Sequence, residues 1–165
     1  MEAETAGLLG ALIGACVSIA TTFLSNRHAI NMQSSADTIQ REEKARAFQR
    51  ENLLACQDMM QLIGRLTTQA FHEEAMAWGQ GATWGKHTFS KPLDDDLAEQ
   101  RRKFSVLIER VADDRLRNEL KLMSLSLSHV LLAESFEEAN GRLTAAHEAS
   151  ANTMKLLGIV LRKTY

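Results

Sequence analysis

Hydrophobic and polar positions divide the chain into two unlike parts. The first is AGLLGALIGACVSIATTFL, Ala6 to Leu24, which is 19 residues without a charge; Thr5 to Asn26 extends the uncharged run to 22. As a helix rising about 1.5 Å per residue, such a run spans about 28–33 Å, the thickness of a bilayer's hydrocarbon core of about 30 Å. It predicts a transmembrane helix. Everything after it is amphipathic or polar.

Ser25 to Ser35 reads as a polar juxtamembrane linker, with Ser35 or Asp37 placed to cap a helix beginning near Ala36. From there a helical pattern runs to Trp78, interrupted only by Gly64. Gln40 to Arg46 is charged on most sides. Beyond it Phe48, Ala55, Met59, Leu62, Ile63, Leu66 and Ala70 recur in steps that share one helix face. The pattern leaves open whether this helix continues from the apolar run or breaks near Ser34 and Ser35.

Gly79 to Pro92, with Gly81 and Gly85 inside it, is the clearest loop. A second amphipathic segment starts at Leu93, where Asp94, Asp95 and Asp96 favour the positive end of a helix dipole. Its buried face is expected to use Leu97, Phe104, Leu107, Ile108 and Val111. Asp113 and Asp114 mark a cap or a tight break before a third helix, about Arg115 to Ser135. There Leu122 to Ser128 alternates as a strand would, but no second strand exists to pair with it. Gly141 marks a bend before a last helix with the seam Leu143, Ala146, Ser150, Met154, Leu157 and Leu161. The expected fold is all-α: an N-terminal transmembrane helix followed by an antiparallel bundle of about four helices. The domain reading is 1–5 as a short extracytoplasmic N-terminus, 6–24 as the span, 25–35 as the linker and 36–165 as a cytoplasmic bundle.

Charge sets the orientation. Glu2 and Glu4 precede the apolar run with no basic residue, whereas Arg27, Arg41 and Lys44 follow it. The positive-inside rule puts the N-terminus out and the bundle in the cytoplasm of a bacterial inner membrane. A cleaved signal peptide needs a basic n-region, which is missing. Ile13-Gly14-Ala15-Cys16 is similar to a lipobox, but Val17, Ile19, Phe23 and Leu24 keep the chain apolar after the cysteine. Along one side of the run Ala6, Gly10, Gly14, Ser18 and Thr22 are spaced by four. Gly10, Gly14, Ser18 and Thr22 are therefore the candidate self-association face, because missing side chains let helices approach closely.

Composition adds mainly exclusions. The 19 Lys and Arg against 21 Asp and Glu give a net charge of −2, without the basic excess that nucleic-acid binding requires. The two cysteines, Cys16 and Cys56, lie in segments that do not meet, so no disulfide is expected. Among His28, His72, His87, His129 and His147 no Glu-x-x-His or His-x3-His spacing occurs. His129 and His147 are expected to face the core as structural side chains. Gly81 to Thr88 faintly resembles a phosphate loop, but Gln80 stands where its first glycine belongs and His87 where its Ser or Thr belongs. No catalytic residue, metal ligand or cofactor site is expected, and the chain does not read as an enzyme. Trp78 and Trp84, in and beside the loop, remain as a candidate partner-binding or membrane-interface feature, or as a cap on the bundle core.

Arg41-Glu42-Glu43, the stretch Ala47 to Asp58, and Ile108 to Asp114 carry a resemblance, together with the membrane edge Asn26-Arg27-His28. On these the chain resembles small uncharacterised bacterial, often actinobacterial, membrane-anchored helical proteins. The resemblance implies a bacterial inner-membrane helical protein and brings no activity or functional residue with it. The resulting expectation is a protein-binding scaffold or adaptor at the inner face of the membrane, with an unidentified protein partner. The alternative is a membrane-active effector or small pore-forming protein, in phage defence or lysis, acting through self-association of the span.

Overall fold

The computed structural model describes the backbone of residues 2–86 and 88–165, and side chains at 14, 18, 21–86 and 88–165. Its helices are α1 (Glu2–Gly79), α2 (Lys91–Glu109), α3 (Asp114–Leu131) and α4 (Phe136–Arg162), with no strand among the described residues. The chain divides into two compact units, Met1–Ala45 and Arg46–Tyr165.

The first unit is helical through its described length, and every described side chain from Thr21 to Ala45 is exposed. The expected linker at 25–35 is itself helix. Ser35 forms no cap: its hydroxyl donates to the Asn31 carbonyl at 3.0 Å, and Thr38 donates to Ser34 at 2.9 Å, both inside the helix. A hydroxyl that bonds back one turn fits a helix interior as well as a cap. Most side chains of the Ala6 to Leu24 run lie outside the described residues. Among the described residues no helix is long and apolar enough to cross a membrane.

The second unit is a four-helix bundle whose contacts fix its topology. Asn52 of α1 reaches the Leu107 carbonyl of α2, while Leu66 and Ala70 pack with Leu93 and Leu97, so these helices are antiparallel. Lys121 to Glu109 at 2.7 Å links α3 to α2, and Arg142 donates to the His129 carbonyl at 2.7 Å, linking α4 to α3. Arg50 lies over the Tyr165 ring at 4.8 Å and Trp78 stacks on Phe136, which closes α4 against α1. The order is up-down-up-down, as short connections favour.

Two side-chain caps and one proline mark the starts of α2, α3 and α4. Asp113 accepts from Leu116 N at 2.8 Å, as expected, and Arg117 holds the Val111 carbonyl through Nε and Nη2. Pro92 occupies the first turn of α2, where its missing N–H costs nothing. The start of α4 differs from expectation. Ser135 accepts from Glu138 N at 3.2 Å, and Glu138 reaches back to Glu134 N at 2.8 Å, a reciprocal pair close to a capping box. Gly141 therefore lies within α4 rather than at a bend.

The core contains Phe104, Leu116, Leu120, Met123 and Leu127, each no more than 1% exposed. On α3 the buried set is Leu116, Leu120, Met123, Leu127 and Val130, a helical spacing; Leu122 and Leu125 of the alternating stretch point outward. On α1 the core face is Leu53, Cys56, Met60, Ile63, Leu66, Thr67, Ala70 and Phe71. It agrees with the expected stripe at Ile63, Leu66 and Ala70 but is turned by about one residue before them, leaving Phe48 half exposed. Replacing Phe104 by Ala should cost about 3–5 kcal/mol, and Phe48 by Ala less than about 0.5 kcal/mol. Denaturant unfolding followed by tryptophan fluorescence measures both; equal losses would refute this placement of the core.

Candidate functional site

Two features of the bundle carry organised polar and aromatic chemistry. The first is the loop after α1. Adjacent glutamates at the end of α1 hold it: Glu74 Oε1 accepts from Gly85 N at 2.7 Å, and Glu73 accepts from Ser90 N and from Ser90 Oγ, each at 3.1 Å. Gly81 and Gly85 have φ of 94° and 75°, values that glycine adopts without a Cβ penalty, so the loop closes within 11 residues. Glu74 is 5% exposed, and its position beside the Gly85 amide gives a buried carboxylate a donor it requires.

Trp78 and Trp84 belong to this end of the bundle. Trp78 stacks on Phe136 at 4.8 Å with rings 6° from parallel, and Trp84 meets the same ring edge-on at 5.6 Å. Phe71 completes the cluster against Trp84 and Phe136. The Trp84 indole donates to the Ala133 carbonyl at 3.1 Å, so its polar edge is satisfied while its ring covers the core. Trp78 keeps an exposed edge and Trp84 is half-buried. A cavity of about 60 Å³ lies beneath, lined in part by Phe71, Glu74, Trp84 and Phe89.

The second feature was not anticipated. A groove of about 660 Å³ runs between α1 and α2, floored by Ala55, Met59, Val106 and Leu107 and rimmed by Arg102, Lys103, Arg110 and Asp58. Val106 is 48% exposed at its edge. Lys103 pairs with Glu99 at 2.7 Å, and that ammonium holds the Glu99 carboxyl below the usual carboxylate range. Among the described residues neither Arg102 nor Arg110 has an acidic side chain within 4.0 Å.

The groove has a structural origin. Gln49 donates to the Arg110 carbonyl at 2.9 Å and accepts from Ala112 N at 3.0 Å, while Asn52 donates to the Leu107 carbonyl at 3.1 Å. Gln49 thus satisfies the backbone just past the end of α2, and Asn52 adds a second donor to a Leu107 carbonyl that already accepts from Arg110 N. They fix α1 against α2 along one line and leave the flank beside it uncovered.

The other sequence candidates separate. Gly14, Ser18 and Thr22 are exposed on α1, and Thr22 donates to the Ser18 carbonyl at 2.8 Å; the surroundings of Gly10 lie outside the described residues. His129 and His147 do not face the core: both are exposed, His147 Nε2 lying 3.5 Å from Thr68 Oγ1. The apolar positions of their helices are taken by Val130 and Ala146, one residue away. His28 and His72 are also exposed, and His87 lies outside the described residues. No group of three or more His, Cys, Asp or Glu among the described residues is placed to hold a metal ion. No protein-family model, curated protein or solved structure matches this chain.

Glu74→Ala should destabilise the bundle by about 1–3 kcal/mol, because the Gly85 amide loses its partner, and should shift the native tryptophan emission. An unchanged melting temperature and emission would show that the carboxylate does not hold the loop. Cys56 is fully buried, and burial pushes its thiol up to about 11. In a Cys16→Ser chain at pH 8 it should resist a disulfide reagent that labels it at once in denaturant; rapid native labelling would contradict its burial. Because the folded thiol keeps its proton longer than the unfolded one, its contribution to stability falls as pH rises from about 9 through about 11.

Proposed function

We propose that this chain is a membrane-anchored adaptor at the inner face of a bacterial plasma membrane, its bundle binding other proteins in the cytoplasm. The observation that carries this reading is the coupling of a 19-residue uncharged run, Ala6 to Leu24, to a closed bundle with an open groove on its side. A run of that length is expensive to leave in water and matches the membrane. The basic residues Arg27, Arg41 and Lys44 after it support an N-out orientation. The bundle offers what protein recognition uses: half-exposed apolar side chains beside guanidinium groups.

A second reading is a membrane-active effector or pore-forming protein, favoured by the ridge of Gly10, Gly14, Ser18 and Thr22 in the same run. The two separate on the double variant Gly10→Leu/Gly14→Leu. An adaptor keeps its cross-linked partner in intact membranes when the ridge is filled, and its expression leaves the membrane potential unchanged. An effector loses membrane depolarisation with the ridge.

Topology is tested on the full chain. A cysteine at position 3 should react with an impermeant maleimide added outside intact cells, and one at position 164 only after permeabilisation. The reverse pattern would overturn the orientation; recovery of the chain in the carbonate-soluble fraction would overturn the anchor.

A further inference from the structure

The bundle carries no net charge of its own, yet its charges are sorted along its axis. The half made of 46–62, 101–122 and 150–165 holds 12 Lys and Arg against 6 Asp and Glu. The other half, 63–100 and 123–149, holds 4 against 10. The antiparallel pairing of all four helices is what brings these separate segments to common ends. The groove between α1 and α2 opens in the cationic half, and only one acidic side chain, Asp58, lines it.

We propose that this groove docks an acidic amphipathic helix of a partner protein. The proposal rests on the adaptor reading and names its site and the chemistry of its partner. Two antiparallel helices with an apolar floor between them offer the seat that a third helix occupies in helix-in-groove recognition, its anchors spaced by three, four and seven residues. Met59, Val106 and Leu107 meet those apolar anchors. Arg102 on α2 and Arg110 just past its last turn both line the groove, eight residues apart, or about 12 Å along the axis, which spaces two carboxylates about two turns apart on the incoming helix. Guanidinium groups suit this task because they bind carboxylates through paired N–H donors and shed water more readily than an ammonium. The chosen occupant is a helix rather than a lipid surface because the groove lies along the flank of the bundle, between helices, and a flat bilayer would not enter it.

A second copy is a poorer occupant. Its acidic segments around Asp94–Asp96 and Glu134–Glu138 stand at the starts of helices whose apolar faces, Leu93 and Leu97 on α2 and Ala139 and Leu143 on α4, are already buried in their own bundle.

The test uses the full chain in nanodiscs of uncharged lipid and a fluorescein-labelled 16-residue peptide with Leu at helical one-face spacing and Glu flanking that face. Fluorescence anisotropy should show the Glu peptide binding at least tenfold more tightly than the same peptide with Lys in place of Glu. Arg102→Glu/Arg110→Glu should invert that preference, and Val106→Ser should weaken both peptides severalfold; these exposed substitutions leave the tryptophan emission of the folded bundle as a control. Equal binding of both peptides, or a preference unchanged by charge reversal, overturns the proposal. So does binding of anionic vesicles that depends on Arg102 and Arg110 while the Glu peptide does not bind. Cross-linking in intact membranes separates the two levels: a partner retained by the charge-reversed chain removes the groove but keeps the adaptor, and no partner on either chain removes the adaptor itself.

Discussion

The bundle depends on α1 satisfying both ends of α2. At one end Asn52 bonds the Leu107 carbonyl in the last turn of α2, and Gln49 takes the Arg110 carbonyl and the Ala112 amide just beyond it; at the other, Glu73 takes the amide and hydroxyl of Ser90, the residue before α2 begins. The first and last turns of any helix leave donors and acceptors that must find partners once water is excluded. From Asn52 to Glu73 α1 advances about 32 Å, and α2 with its flanking residues needs a support of about that length. A helix pinned at both ends cannot slide by a turn without leaving several polar groups unpaired, each at a cost of about 1–3 kcal/mol. Register is thereby set by polar groups, and the apolar core fills the frame they define.

Once α1 is placed, the remaining contacts follow in order. Leu53, Cys56, Met60 and Ile63 are turned inward onto Phe104, Ile108, Leu120 and Met123, within a single cluster that also includes Leu157 and Val160 of α4. The aromatic group of Phe71, Trp78, Trp84 and Phe136 closes the end where α1 meets α4. The same pinning exposes the side of α1 that carries Ala55 and Met59, which is why a groove lies there. The feature proposed to bind a partner is thus a consequence of how the helix ends were satisfied.

How far the sequence revealed this depends on the range of the interactions. Helix content, the glycine loop and the Asp113 cap are local, and their signals lie within a few residues. The buried face of α2 was largely readable for the same reason: Leu97, Phe104 and Ile108 are buried as expected, and so is Val111 just past its end, but Leu107 of the expected face is only half-buried and lines the groove. On α1 the choice was harder, because Leu53 and Leu54, Cys56 and Ala55, and Met60 and Met59 are adjacent pairs of similar hydrophobicity. A rotation of about 100° exchanges Cys56 and Met60 for Ala55 and Met59, while the opposite rotation exchanges Leu53 for Leu54, and the long-range bonds of Gln49 and Asn52 hold α1 between the two. The start of α4 was legible and was passed over: Ser135-Phe136-Glu137-Glu138 has the Ser-x-x-Glu form of a capping box, a stronger signal than a glycine six residues later. The outward turn of His129 and His147 follows from Val130 and Ala146 beside them, which fit the core without a polar group to satisfy.

The charge pattern shows why totals conceal what a fold assembles. A net charge of −2 over the chain says little, and no single helix is strongly one-signed. Antiparallel packing places the C-terminal half of α2, the start of α3 and the end of α4 at the end where α1 enters the bundle, and their cations add there. Between such ends, fields extend about 8 Å at physiological ionic strength, far enough to act between neighbouring bundles in contact but not along the whole axis of one.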